Sequence, residues 1–142
     1  ISELGLNTIK RSSNKKITKK TDIYLVDTYG ETKKFYSISK TVFLGGSLIN
    51  HGGQNPIEPA RLQSTIIHGV YVNNFKEVYK LLDDNKISYR VKNNYELIKM
   101  VDKSISNLKN KKNKYIKIRK LGKTILDMTT NEINNLLINE IK

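Results

Sequence analysis

Short apolar runs alternate with polar stretches along the first two-thirds of the chain. Five of these runs predict strands, at residues 8–11, 23–26, 41–44, 65–68 and 87–91. The second run, Ile-Tyr-Leu-Val, is continuous, which is typical of a parallel strand buried on both faces. The strands are separated by segments long enough for crossover helices, so the pattern indicates α/β topology.

Helical periodicity fills the segments between the strands. It predicts helices at residues 28–39, 55–63 and 74–84, the last with Phe75, Val78, Tyr79 and Leu82 on one stripe. In the first of these helices, Tyr29, Phe35, Tyr36 and Ile38 can share a stripe. Beyond residue 93 the strand pattern stops, and two helices are predicted at 95–108 and 115–141. The expected fold is a parallel sheet with helices on both faces, ending in two helices, with 93–142 as a helical extension.

Length and composition exclude several classes of protein. The chain has 142 residues, which suits a single domain covering 1–142. It has no Cys and only two His, so disulfide frameworks, thiol nucleophiles and His-rich metal clusters are excluded. No apolar run approaches the roughly 18 residues that a membrane-spanning helix needs.

The net charge of +13 comes mainly from lysine. The chain has 22 Lys but only 4 Arg, and Lys, Ile and Asn together make 56 of the 142 residues. A-and-T-rich codons favour these three residues, so genome composition can produce the charge, and no specific nucleic-acid partner is expected. The lysine run at 109–120 is interpreted as a solvated face and linker; contact with an anionic membrane surface is the alternative.

Two strand-to-helix junctions carry the candidate chemistry. At the first, Thr28 can cap the following helix, and Glu31 three residues later completes a capping box. The second junction is longer, at residues 43–60. There Asn55 can cap, Pro56 fits the first helical position, and Glu58 completes a second box.

The second junction also contains two glycine pairs, Gly45-Gly46 and Gly52-Gly53. Such loops can present successive N–H groups to phosphate oxygens, and ligands of open parallel sheets bind at the carboxyl ends of the strands. The spacing matches neither the P-loop nor the dinucleotide-binding pattern. Glu31 and Glu58 could then accept hydrogen bonds from ribose hydroxyls, or each could serve only its own helix end. His51 is expected to be a polar loop residue and His68 a satisfied buried or rim histidine.

The segment FLGGSLINHGGQNPIEPA resembles the donor-binding loop of the 3-deoxy-D-manno-octulosonic acid (Kdo) transferases. These enzymes move Kdo from CMP-Kdo to the lipid A precursor. The segment Asp27-Thr28-Tyr29-Gly30-Glu31 is similar to the family's D-T-M-G-E, and Asn74-Phe75 falls where the family has N-F. The order and spacing of these segments fit the C-terminal half of the family over nearly the whole chain.

The resemblance implies the C-terminal, Rossmann-like, donor-binding domain of a two-domain GT-B glycosyltransferase. Gly45, Gly46 and Ser47 would lie against the donor phosphate, and Asn55 and Glu58 would hold the loop and the cytidine ribose. Other donor-site residues would come from the second glycine pair and from the first junction: Gly52, Gly53, Gly30 and Glu31. Transfer in the family inverts the anomeric centre without metal or cofactor, and a carboxylate on the N-terminal domain acts as general base.

The sequence departs from the family pattern in several places. The N-terminal domain and a basic P-R-H segment are absent, and Tyr29, Gln54 and Tyr71 replace the family's Met, His and His. Transfer by this chain alone is therefore not expected, and no catalytic residue is assigned to it. A lipid A acceptor would require the missing N-terminal domain, at the cytoplasmic face of a bacterial inner membrane. The alternatives are a non-catalytic remnant of the domain, or a basic module that binds RNA or an anionic membrane.

Overall fold

The structure is a computed structural model that describes residues 2–106 and, beyond them, positions 116, 119–120, 122–123, 127, 130–131 and 133–134. It divides into two compact units, Ile1–Phe35 and Tyr36–Lys142. The predicted helix at 115–141 lies largely outside the described residues; the described positions within it are helical. The charged stretch 109–114 lies wholly outside them. In the part of the chain described, no helix is long and apolar enough to cross a membrane.

The first unit is built on two parallel strands, β1 (Thr8–Lys10) and β2 (Ile23–Leu25), with Thr8 paired to Ile23. Both strands are one residue shorter than predicted. The expectation that the second strand is buried on both faces is wrong, because Leu25 is 39% exposed and its two predecessors are only partly buried.

Helix α1 spans Thr32–Ile38 and begins four residues later than predicted. The Thr28 hydroxyl donates to the Glu31 carboxylate, 2.6 Å away, instead of accepting from a helical N–H, so the predicted capping box is wrong. The expected apolar stripe is also reduced, since Tyr29 lies outside the helix and is fully exposed and Ile38 is 76% exposed. Only Phe35 and Tyr36 of that stripe are partly buried.

The second unit contains a three-stranded parallel sheet in the order β3-β4-β5. These strands span Thr41–Leu44, Thr65–His68 and Ser88–Arg90. The helices that follow them are α2 (Ile57–Arg61), α3 (Lys76–Asp84) and α4 (Asn94–Ser106). Each observed element overlaps its predicted position, and the parallel pairing is confirmed. The prediction of one sheet is replaced by two, one in each unit.

Strand β4 is buried on both faces, since Ile66 and Ile67 are both completely inaccessible to solvent. On the Ile66 side the core is formed with α2 and α3 by a cluster of buried residues, namely Leu44, Ala60, Tyr79, Leu82 and Ile87. On the opposite face α4 packs on β3 and β4, where the hydroxyls of Ser104 and Thr41 are 2.9 Å apart. Helices therefore cover both faces of this sheet, as predicted. Burying each Ile side chain stabilises the fold by about 1.5–3 kcal/mol.

Parallel pairing brings the carboxyl ends of β3, β4 and β5 to one edge of the sheet. Leu44 pairs with His68, and His68 pairs with Arg90. The loops that begin at residues 45, 69 and 91 therefore start side by side. In open parallel sheets this edge is where ligands bind.

Candidate functional site

The glycine loop starts directly after β3, at Gly45, as the sequence predicted. Gly46, Gly52 and Gly53 all have positive φ, a region that L-residues rarely adopt. At Gly52 the space is also closed, since a Cβ there would lie 2.5 Å from Nδ2 of Asn74. The positive φ therefore favours glycine at position 52, and a larger residue there would also displace the Asn74 side chain.

Several carbonyl groups of this loop accept hydrogen bonds from inside the protein. The Gly46 carbonyl accepts from the Gly53 N–H at 3.1 Å, and the Ser47 carbonyl accepts from the Tyr71 N–H at 2.9 Å. The Gly52 carbonyl accepts from the Asn74 N–H at 3.2 Å. These bonds close the loop on itself and join it to the segment that follows β4.

The N–H groups at the start of the loop are not occupied in the same way. Those of Gly45, Gly46, Ser47 and Leu48 donate to no acceptor among the residues that the structure describes. Unpaired and accessible donors at the carboxyl end of a parallel strand can bind an anionic oxygen, because each N–H carries a partial positive charge. A phosphate is the anion that such a run of donors suits.

Ser47, predicted to lie against a phosphate, is completely buried. Its hydroxyl donates to the Leu44 carbonyl at 2.5 Å and accepts from the Gly69 N–H at 2.8 Å. Its side chain is thus committed to the framework between β3 and β4, and the residue itself presents no exposed surface to a ligand.

At the start of α2, Asn55 lies one residue before the N-cap position instead of occupying it as predicted, although its Oδ1 still accepts from the Ile57 N–H at 3.0 Å. Pro56 precedes the helix instead of occupying its first position. The second capping box is not formed: Glu58 is exposed, and its carboxylate makes no hydrogen bond or ion pair with any described residue. Burial raises the pKa of Tyr36, and the negative charge of Glu58 raises it further. Glu58 therefore presents an unengaged carboxylate.

Glu31, in the first unit, is in the opposite condition. Arg11 donates to both of its carboxylate oxygens, at 3.0 and 3.2 Å, and Lys34 Nζ lies 3.6 Å from Oε1. The hydrogen bond from Thr28, with those from Arg11, lowers the pKa of Glu31 from its ordinary 4.5 to about 2. Its neighbour Gly30 has a φ of +81° and open space around it. The Glu31 carboxylate is thus occupied by hydrogen bonds and ion pairs within the first unit.

Sequence reasoning missed Gly69, which directly follows β4. A Cβ at this position would lie 2.0 Å from the Ser47 carbonyl oxygen, so only glycine allows the two segments to approach so closely. The sequence did contain one indication of this role, since Gly69 comes immediately after an apolar strand. His68 is a satisfied buried histidine, as predicted, with Nδ1 2.7 Å from the Gly69 carbonyl oxygen and Nε2 3.1 Å from Asp83 Oδ1.

Asp83, which is partly buried, completes the polar group behind the loop. Burial alone would raise its pKa, but hydrogen bonds from His68 and Ser88 outweigh burial and lower it. Elsewhere in the described part of the chain, no three acidic or imidazole groups come together as a metal site would require.

Comparison with known proteins adds to this geometry. The sequence matches no family model. It is 36% identical over its whole length to a bifunctional glycosyltransferase/methyltransferase of Fusobacterium nucleatum, covering 22% of that protein. It is 40% identical over 52% of its length to the Kdo transferase of Haemophilus influenzae, covering 17% of it. For the Kdo transferase of Aquifex aeolicus the identity is 31% over 60% of the chain, covering 24% of that protein.

Comparison of the fold with solved structures also leads to the Kdo transferases. The solved C-terminal CMP-Kdo binding domain of WaaA from Acinetobacter baumannii matches with a TM-score of 0.76 and 25% sequence identity, over 84% of this chain and 62% of that domain. The chain is thus similar to the Kdo transferase family. It corresponds to the family's C-terminal domain and has the corresponding GT-B type fold.

Kdo transferases are glycosyltransferases, and this chain spans about a fifth of the length of the curated relatives named above. The glycine loop, Asn55 and Glu58 lie within the second unit of this Kdo transferase domain, whereas Gly30 and Glu31 lie within the first. The loop after β3 and the start of α2 therefore form the candidate site, and the first junction is a separate candidate segment.

Proposed function

We propose that this chain is the donor-binding half of an inverting glycosyltransferase that moves Kdo from CMP-Kdo to a lipid A precursor. One observation carries the proposal: the N–H groups of residues 45–48 are unpaired among the described residues, at the carboxyl end of β3. The likeness to a domain described as CMP-Kdo binding supports the choice of ligand.

Within this proposal the loop and α2 divide the donor between them. Gly45, Gly46 and Ser47 lie against the phosphate, which the N–H groups of Gly45 and Gly46 bind, while Gly52 and Gly53 give the loop its return path. Asn55 holds the start of α2. The carboxylate of Glu58 accepts hydrogen bonds from the cytidine ribose, a role for which it is exposed and unengaged.

The first junction keeps the role that the resemblance implies for it. Gly30 and Glu31 border the nucleotide, and the Arg11 ion pair fixes Glu31 in place. Because the Glu31 carboxylate is already occupied, Glu58 is the better candidate for the ribose contact.

The chemistry of transfer explains what unpaired N–H groups contribute. When the bond between the phosphate oxygen and the anomeric carbon breaks, its electron pair stays with CMP, and negative charge grows on the phosphate. Fixed N–H dipoles stabilise that charge without reorganising. The acceptor hydroxyl forms the new bond from the opposite side, and its proton passes to a general base on the N-terminal domain. The proposed reaction uses no metal or cofactor.

The acceptor and the location follow from the same proposal. The lipid A precursor binds mainly through an N-terminal domain, at the cytoplasmic face of the bacterial inner membrane. Lysine side chains of the chain can add contact with the anionic surface, at about 1 kcal/mol per residue near it.

Titration with CMP tests the donor proposal. We expect saturable binding by isothermal titration calorimetry, weakened about tenfold in Glu58→Ala, because a hydrogen bond to a charged group is worth about 1.5–3 kcal/mol. Glu77→Ala is the matched control. Glu77 is also an exposed glutamate in the first turn of a helix, α3, with no partner among the described residues.

The other outcomes separate the remaining functions. Absence of CMP binding would contradict the proposal and favour a non-catalytic remnant. Binding to RNA that falls steeply with salt and is insensitive to Glu58→Ala would instead favour a basic binding module.

A further inference from the structure

Ser47 is the residue of the glycine loop whose side chain is least available to a ligand. It is completely buried, and its hydroxyl joins the end of β3 to the segment after β4. The Ser47 hydroxyl donates a hydrogen bond to the Leu44 carbonyl at 2.5 Å, and its oxygen accepts one from the Gly69 N–H at 2.8 Å.

These two bonds prevent the hydroxyl from serving a phosphate at the same time. A serine hydroxyl has a single proton to donate, and phosphate oxygens act as acceptors toward it. Once that proton is committed to Leu44, the remaining lone pair would face the anion and repel it. Ser47 therefore acts on a phosphate only through the main chain that it holds in place.

Gly69, whose N–H binds the Ser47 hydroxyl, is also held at its carbonyl group. The Gly69 carbonyl oxygen lies 2.7 Å from Nδ1 of His68, which donates to it because a carbonyl can only accept. The opposite ring nitrogen contacts Asp83 on α3, which also accepts from Ser88 on β5. A chain of buried polar contacts thus runs from α3 and β5 through Gly69 to the start of the glycine loop.

Resting on the proposed donor function, we propose that Ser47 is a positioning residue, which orients the N–H groups of Gly45 and Gly46 toward the donor phosphate through its bonds to Leu44 and Gly69. Gly69 and His68 support it from the β4 side. The side chain of Ser47 does not touch the donor.

A comparison of CMP with cytidine tests this role, because the two ligands differ only in the phosphate. Wild-type protein should bind CMP more tightly than cytidine. In Ser47→Ala the loop loses its anchor, so the CMP advantage should fall by about tenfold while cytidine affinity changes little. General loss of structure would lower both affinities together.

Ser64→Ala is the matched control. Ser64 is also a completely buried serine of this unit, and its hydroxyl contacts the carbonyl oxygens of Tyr36 and Ser39 at 3.1 and 2.9 Å. Its loss should lower thermal stability, as measured by circular dichroism, and leave the ratio of CMP to cytidine affinity within about twofold of wild type. An unchanged ratio in Ser47→Ala would overturn the proposal.

A measurement on wild-type protein applies even when Ser47→Ala does not fold. In a ¹⁵N–¹H spectrum, CMP should shift the amide signals of Gly45 and Gly46 strongly and leave the Gly69 amide nearly unmoved, since Ser47 remains its acceptor. A Gly69 shift as large as that of Gly45 would show that the hydroxyl turns to the donor, and would overturn the proposal. Absence of CMP binding by wild-type protein would instead contradict the donor function itself.

Discussion

At the scale of single residues, two glutamates with the same predicted role differ in what surrounds them. Glu31 accepts from Arg11 and Thr28, whereas the Glu58 carboxylate makes no hydrogen bond or ion pair with any described residue. The difference comes from Arg11, twenty positions away along the chain, which only the fold brings to Glu31. A glutamate whose carboxylate is already occupied stabilises structure, and one whose carboxylate is unengaged can bind a ligand.

The lowered pKa of Glu31 makes its contribution to stability dependent on pH. Because the folded pKa of about 2 lies below the ordinary 4.5, the contribution is complete above pH 4.5 and is lost as pH falls toward 2. We expect Glu31→Gln to be less stable than wild type at pH 6, with a difference that shrinks steadily below pH 4.5. Urea unfolding at several pH values measures it.

Glu77→Gln serves as the control for this experiment, since that side chain is exposed and has no partner among the described residues. Its stability should follow wild type across the same pH range. A Glu31→Gln difference that stays constant down to pH 2 would contradict the assigned role of the ionised carboxylate.

At the scale of elements, the ends of β3 and β4 are joined by contacts in addition to the hydrogen bonds of the sheet. Gly69 packs directly against the main chain of Ser47, and the Ser47 hydroxyl bridges the two strand ends. The glycine loop is consequently built on a rigid support, while the N–H groups at its start stay unpaired in the described structure. A binding loop needs both properties, since donors that are already oriented lose little entropy on binding.

Gly69→Ala tests this contact. The new Cβ would lie 2.0 Å from a main-chain oxygen, which a side-chain rotation cannot relieve. We expect the free energy of unfolding to fall by about 1–3 kcal/mol, the usual effect of overpacking. Chemical denaturation followed by circular dichroism gives the value.

Gly45→Ala is the control in the same loop. A Cβ there meets nothing within 4 Å, and the φ of Gly45 is not positive. Its stability should equal or slightly exceed that of wild type, because alanine reduces the entropy of the unfolded chain. Equal losses in both variants would show that the close contact at Gly69 does not matter.

At the scale of the whole molecule, the chain supplies a fraction of the relatives' length. The described residues supply features suited to binding the sugar donor: a glycine loop, unpaired N–H groups and an exposed carboxylate. A GT-B active site is completed by a second domain, so binding and transfer can be separated experimentally.

We therefore expect this chain to bind CMP without transferring Kdo. With CMP-Kdo and a lipid A precursor, product formation measured by mass spectrometry should stay at the level of a blank without protein. A fusion or mixture with an N-terminal domain of the family would be needed for transfer. Turnover by the chain alone would contradict this division of labour.

The sequence by itself determined where the main secondary-structure elements lie and which family the chain resembles. Apolar periodicity located β3, β4, β5 and α3, because strand and helix repeats depend on neighbours a few positions away. The glycine pairs and Asn55 identified the loop and the start of α2 for the same local reason. The family resemblance required only the order of short motifs.

The tertiary structure decided the roles of individual groups. The start of α1, the anchor of Ser47 and the need for glycine at position 69 all depend on contacts that the motifs do not contain. Ser47 and Gly69 are 22 positions apart, and Arg11 and Glu31 are 20 apart. A side chain's hydrogen bonds depend on which distant groups the fold brings to it, so the sequence pattern showed where chemistry was possible and the folded chain showed which groups remain available for it.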